Sequence, residues 1–339
     1  DLFRNRGERT GMLLAWAGQM ACLVHGQMSK AALGEALEEF ETELYPIYLQ
    51  QSEGTPRAIV AAAVFFGKVL YDPEPEQTQA WGTTALELAE QCQAKGVWIQ
   101  VALGTVFFWV ARGENERLAA LLNQFRLQCP LSTLPAVSAV TLLAADMLGH
   151  MAQAREEQAL SLAAQGLQLG RESGVSLFEA FFQAYGAACA LHCGDLQAAE
   201  QALAAIDSSS LAQRPWDRSL YCFMQARLVV FRKEYAAAER WMRQVLDLET
   251  SQGTPGTLAL SWVAAAQIAF CLGWHEEASK RLARGDALAE EYGFGLVTWA
   301  AGLSRAYWAL AEGKRKRCCQ RLVEVLKLGR EKMIYVSCV

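Results

Sequence analysis

The chain has 339 residues, more than the roughly 250 to 300 at which one hydrophobic core stops growing, so it is either several domains or an array that renews its core along its length. Apolar residues make up 53% of it against 8 prolines and 26 glycines, a composition that favours helices. The formal net charge of -5 argues against a dedicated nucleic-acid surface, so direct nucleic-acid binding by this chain is not expected, although a basic excess gathers between Lys314 and Lys332.

The N-terminal Asp1-Leu2-Phe3-Arg4 holds no apolar signal core. The longest apolar stretches, residues 97–111 and 258–272, fall short of the ~18 residues that cross a bilayer. Ten cysteines are scattered through apolar positions without a CxxC pair, as in reduced core positions. A cytoplasmic protein without membrane contact is the expectation.

Over residues 1–173, helix pairs are expected to turn near His25-Gly26-Gln27, Tyr71-Asp72-Pro73, Arg112-Gly113-Glu114 and Leu148-Gly149-His150, with drifting spacing. Residues 45–56, punctuated by Pro46, Gly54 and Pro56, read as an irregular link. Pro73 and Pro75 suit a helix entrance or loop, since proline lacks the N–H that a helix interior requires.

Residues 174–332 repeat more regularly. Breaks at Gly174, Arg214-Pro215, Gly253-Thr254-Pro255 and Gly293 alternate with corners at Cys193-Gly194-Asp195, Arg232-Lys233-Glu234, Leu272-Gly273-Trp274 and Glu312-Gly313-Lys314. A small residue recurs in the first helix of each unit at Ala187, Ala226, Ala266 and Ala306, and in the second at Ala199, Ala238, Ala278 and Cys318. Both series are spaced 39, 40 and 40 residues. Small side chains let two helix axes approach closely, so this register predicts tightly packed antiparallel hairpins. Residues 333–339 read as the start of a further first helix, and residues 1–339 as one array cut from a longer chain. An uncovered end needs a cap or a neighbour and leaves room for self-association. No segment sustains period-two alternation, so the predicted fold is all-α, a right-handed superhelix of about eight antiparallel helix hairpins.

Catalytic chemistry is sparse. The sequence has no GxxxxGK[ST] loop, GxGxxG turn or GxSxG elbow, and neither an enzyme nor a cofactor is predicted. His25, His150, His192 and His275 fall at helix corners of different units, without the i, i+4 spacing of a helical metal site. Cys189, His192 and Cys193 lie on neighbouring turns, where small packing residues beside a corner histidine outweigh a soft-metal site. Lys314, Arg315, Lys316 and Arg317 open a helix against its positive dipole end. They are either a solvated corner or a contact for an acidic partner or a neighbouring domain. Adjacent aromatic pairs, Phe65-Phe66, Phe181-Phe182 and Tyr307-Trp308, differ by about 100° around a helix, so one member of a pair can leave the hairpin core and face a groove.

This hairpin grammar resembles the tetratricopeptide repeat, lengthened from its usual 34-residue form to a period near 40. The longer form is similar to the helical-repeat region of large bacterial transcriptional activators of the maltose-activator type, and of regulators with a bacterial transcriptional activator domain. The segments that carry the likeness are residues 3–18, from Phe3-Arg4-Asn5-Arg6-Gly7 to Trp16-Ala17-Gly18, and the corner Cys193-Gly194-Asp195-Leu196-Gln197-Ala198-Ala199. In such regulators the repeats bind an inducer or protein partners, while other domains hold ATP and DNA. The resemblance implies a concave surface lined by first helices, where the equivalent positions are Gln100, Phe107, Asp146, His192, Arg227, Gln267 and Tyr307. Arg227 is the leading candidate, because a guanidinium among Phe223, Val230 and Phe231 needs a partner.

The expected function is therefore a non-catalytic module of a bacterial multidomain transcriptional regulator, sensing a small-molecule inducer or binding protein and peptide partners. The alternative is a freestanding tetratricopeptide-like scaffold or chaperone-type adaptor that grips partner peptides.

Overall fold

The computed structural model describes residues 3, 6–26, 30–51, 54–332 and 334, except for the side chains of Ser208 and Ser210. Among the described residues there is no strand, and helices succeed one another in neighbouring pairs. Helix α1 (Arg9–His25) is followed by α2 (Lys30–Glu39), which runs through a π-helical turn at Phe40–Leu44 into α3 (Tyr45–Gln50). Then come α4 (Thr55–Tyr71), α5 (Pro75–Gln91), α6 (Lys95–Arg112), α7 (Asn115–Gln128), α8 (Ala136–Met151) and α9 (Glu156–Ser173). The second half holds α10 (Glu179–His192), α11 (Leu196–Ala204), the short α12 (Ser208–Leu211), α13 (Pro215–Phe231) and α14 (Tyr235–Gln252). It ends with α15 (Pro255–Cys271), α16 (His275–Tyr292), α17 (Gly295–Ala311) and α18 (Arg315–Lys332).

Helix boundaries in the second half follow local chemistry. Pro215 and Pro255 open α13 and α15, where a missing N–H is harmless, and Thr254 and Thr257 form a reciprocal capping box on α15. Gly174 and Gly293 end α9 and α16 in the left-handed conformation, at φ 74° and 69°. The corners use the same device: Gly194, Gly273 and Gly313 have φ of 78°, 80° and 75°, and Lys233 takes φ 61° at the equivalent place. The recurrent small residues all lie in the pair interfaces, where Ala187, Ala199, Ala226, Ala238, Ala266, Ala278, Ala306 and Cys318 are buried.

Two expectations in the first half are corrected. Leu148-Gly149-His150 is not a corner: α8 continues to Met151, and the chain turns at residues 152–155 with Ala154 at φ 52°. Gly149 is small for packing, since a Cβ there would lie 2.2 Å from Leu122 Cδ1. Nor are residues 45–56 irregular throughout, because residues 45–50 are helical. Pro46 sits in the first turn of α3, and the π-helical turn before it re-registers the backbone hydrogen bonds at the point where the ring removes a donor. Arg4, Asn5, Gln27 and, apart from Ile334, residues 333–339 lie outside the described residues.

The second helices are tied to one another by ions. The Arg281 guanidinium on α16 grips the Glu239 carboxylate on α14 in a fork, with Nη1–Oε2 of 2.8 Å and Nη2–Oε1 of 2.9 Å. Its Nε donates to Glu277 at 2.8 Å, and Arg243 donates to Glu239 at 2.9 Å. Both central residues are buried, so removing one partner strands a charge, at a cost of about 3 to 5 kcal/mol.

The array also meets itself. Helix α17 packs on α6, and α14 touches α2. Arg112 Nη1 donates to the Tyr292 carbonyl at 3.3 Å across 180 residues of sequence. Gly295 admits that contact, as a Cβ there would sit 2.6 Å from the Arg112 carbonyl oxygen.

Glycines separate packing from permissiveness in a measurable way. A Cβ at Gly166 on α9 would lie 2.3 Å from the Phe182 ring, whereas one at Gly186 on α10 would meet nothing within 4 Å. Gly166→Ala is expected to destabilise the chain by about 1 to 3 kcal/mol through overpacking. Gly186→Ala is expected to stabilise it by roughly 0.5 to 1 kcal/mol through helix propensity. Urea unfolding of both variants checks this, and shifts of the same sign would contradict the packing described.

Candidate functional site

The first helices are apolar on more than one face, so the residues not used against their own second helices must be covered elsewhere. Because the array curves back through the α6–α17 contact, those residues face one another across a cavity of about 380 Å³. Aromatic rings dominate its wall: Phe66 from α4, Phe107 and Phe108 from α6, Phe181 and Tyr185 from α10, Trp216 and Phe223 from α13, and Phe294 at the entrance to α17. Adjacent aromatic pairs divide their labour. Phe65 is wedged between Gly82 and Gly104 while Phe66 lines the cavity, and Phe182 abuts Gly166 while Phe181 lines it.

The polar groups of the wall come in sets. At one end Arg214 Nε lies 2.6 Å from Asp217 Oδ2, and Arg214 Nη2 donates to the Leu177 carbonyl at 2.7 Å. His25 faces this pair from α1, and its pKa is lowered by burial and by the Arg214 charge, so the imidazole is neutral. On another wall Glu249 reaches in from α14, hydrogen-bonded through one carboxyl oxygen to Ser219 and through the other to Thr257. Burial raises the Glu249 pKa, and the two hydroxyls only partly offset it. Tyr185 is pushed up to about 12, first by burial and then by the nearby Glu249. At the far end Arg227 Nη2 lies 2.9 Å from His192 Nε2, and His192 Nδ1 lies 3.4 Å from Glu156. Burial and Arg227 lower the His192 pKa.

Of the seven positions picked out by repeat equivalence, Phe107 and Arg227 line the cavity, and His192 contacts Arg227 from its edge. The other four lie elsewhere. Gln267 accepts from Trp308 Nε1 at 2.9 Å, Tyr307 is exposed on α17, and Gln100 is half-buried on α6 outside the cavity wall. Asp146 is buried against Arg126 at 2.9 Å, and its pKa is raised by that burial. Sequence reasoning missed Glu249, Ser219, Tyr185 and Trp216. The one available signal was Glu249 itself, an acid at an apolar-face position of α14 beside Val245.

Cys189 is buried and Cys193 exposed, so the two sulfurs do not converge around His192. Lys314, Arg315, Lys316 and Arg317 are exposed at the start of α18, with Lys314 paired to Glu312 at 2.7 Å. Among the described residues no helix is long and apolar enough to cross a membrane. No family model matches the chain, and no curated protein matches it in sequence.

Glu249 gives the cavity a pH signature. An acid whose folded pKa exceeds its unfolded value keeps its proton in the folded state where the unfolded state has lost it. Stability therefore falls as pH rises from about 4.5 through the folded value. Glu249→Gln removes that fall. The variant is expected to melt at the parent's temperature at pH 4 and above it at pH 7. A variant that melts lower at pH 7 would mean the carboxylate is held ionised.

Proposed function

We propose that this chain is a ligand-sensing and protein-interaction module, non-catalytic, of a bacterial multidomain transcriptional regulator. In this reading its paired helices form a right-handed superhelix of about eight tetratricopeptide-like hairpins. The inner helices of the array recognise a small-molecule inducer, and its outer and terminal faces meet protein partners.

The observation that carries the proposal is the cavity, supplied almost entirely by the first helix of successive hairpins. A wall built from nine helices couples its own shape to the curvature of the whole array. A ligand touching several of them at once favours one curvature over another, and such a difference in affinity between states is what a sensor requires. The volume and the mixture of aromatic rings with a few polar groups fit a small-molecule site. The small-residue register and left-handed corners support the repeat assignment, which the resemblance connects to regulators. Exposed Leu310, Val323 and Leu326 favour the scaffold alternative at one point only, since a bare apolar edge is what a peptide-gripping adaptor presents.

Ligand sensing is tested by thermal-shift screening of the chain against metabolites and acidic peptides. At least one small molecule is expected to raise the melting temperature. Gly256→Leu should cancel that rise, because a Cβ at Gly256 meets Phe294 and Ala111 only at 3.7 to 3.9 Å and the longer side chain fills the cavity. Stabilisation by acidic peptides alone, untouched by Gly256→Leu and by Arg227→Ala, would favour the scaffold instead. The regulator assignment is tested by whether the same gene encodes a nucleotide-binding domain and a DNA-binding helix-turn-helix.

A further inference from the structure

The charges in the cavity wall are already spoken for. Arg214 is matched by Asp217 within the same helix turn and by the Leu177 carbonyl. Arg227 is engaged by His192, which in turn meets Glu156. Among the described residues Glu249 has hydroxyl partners, Ser219 and Thr257, and no cation is bonded to it. Burial with no cation beside it disfavours the charged form of Glu249, and burial together with the Arg214 charge disfavours the charged form of His25. An anionic ligand would have to leave water for a wall of phenyl rings and aliphatic chains and compete with the groups already on Arg214 and Arg227, and a cationic one would meet only Glu249, whose charged form burial disfavours.

Unused hydrogen-bonding capacity lies in uncharged groups. The Tyr185 and Ser261 hydroxyls both belong to the cavity wall, and neither has a hydrogen-bond partner among the described residues. Ser261 stands one helical turn beyond Thr257 on α15, and Tyr185 lies near Glu249. These two hydroxyls are the uncommitted hydrogen-bonding groups near Glu249 in a chamber lined chiefly by rings and aliphatic chains. A ligand with many hydroxyls, such as an oligosaccharide, would exceed what this pair can satisfy and would strand its remaining polar groups against the rings.

From this match we infer that the cavity takes an uncharged, largely apolar small molecule, its one or two hydrogen-bonding groups seated on Tyr185 and Ser261 beside Glu249. The inference rests on the ligand-sensing reading and narrows it to a chemical class.

Two fluorescent probes of the same skeleton separate charge from shape. N-phenyl-1-naphthylamine is uncharged, and 1-anilinonaphthalene-8-sulfonate carries a sulfonate on the same frame. Titrated into the chain, the uncharged probe is expected to bind at one per chain and at least tenfold more tightly than the sulfonate. Tyr185→Phe should weaken it about threefold or more, and Gly256→Leu about tenfold or more. Leu260→Trp, which fills the same chamber from α15, serves as a second filled variant should Gly256→Leu fail to fold. Maltotriose, followed by calorimetry, is expected to show no binding. Sulfonate binding as tight as that of the uncharged probe, or maltotriose binding, would overturn the ligand class if lost in a filled variant, and would leave ligand sensing standing. Probe binding that both filled variants leave unchanged would place the dye outside the cavity and overturn the inference. Failure of all three compounds, together with a blank metabolite screen on the folded chain, would remove the inference and the sensing reading alike.

Discussion

Two helices can lie close only where neither raises a large side chain between them, and everything else in this structure depends on that constraint being met at fixed intervals. Ala187 packs in one cluster with Ala199, Ala226 with Ala238, and Ala306 with Cys318, which brings each first helix close onto its own second helix. Once the small residues hold the hairpin together, large residues are released from that task. Phe182 fills the space over Gly166, and Phe65 the space between Gly82 and Gly104. The next residues round the helix, Phe181 and Phe66, then have no hairpin to pack into and turn towards the common interior. The cavity is thus the geometric remainder of good hairpin packing.

Electrostatics follow the same inside-outside division. Between second helices, Glu239 and Arg281 are buried as a fork with two further partners, so each charge is compensated where it stands. Between first helices, Arg214 and Asp217 compensate one another, while Glu249 is left with hydroxyls. The first arrangement rigidifies the outer layer without reference to any ligand. The second sets the polarity of an interior lined chiefly by rings and aliphatic chains.

What the sequence made legible was local and periodic. The recurrence of Ala and Cys318 at intervals of 39 and 40 located the hairpins of the second half, and Pro215, Pro255, Gly174 and Gly293 marked their limits, because capping and steric rules act within a few residues. Gly149 misled because a glycine needed for close approach to Leu122 looks the same in sequence as one needed for a turn. Pro46 misled because a proline in a helix's first turn is as permissible as one in a loop. Of the candidate site, Phe107 and Arg227 were reachable by counting along the repeats, while the same offset at Gln100, Asp146, Gln267 and Tyr307 falls outside the cavity wall, because successive hairpins are not turned alike. Glu249 was not, because it enters from a second helix. Nor did repeat counting reveal which inner faces meet, a matter decided by the total curvature of the array and by no single window of sequence.

The contact between Arg112 and Tyr292 also sets an order of events. Each hairpin joins residues a few tens of positions apart and can form on its own timescale, whereas this contact closes a loop of 180 residues. The entropy of closure rises only logarithmically with length, but it must be met before any reward from the α6–α17 contact is collected. Loop-closure entropy therefore places the clasp after the hairpins in the order of assembly. The aromatic interior is enclosed only at that final step, so the chamber is a product of the whole array and of no single hairpin.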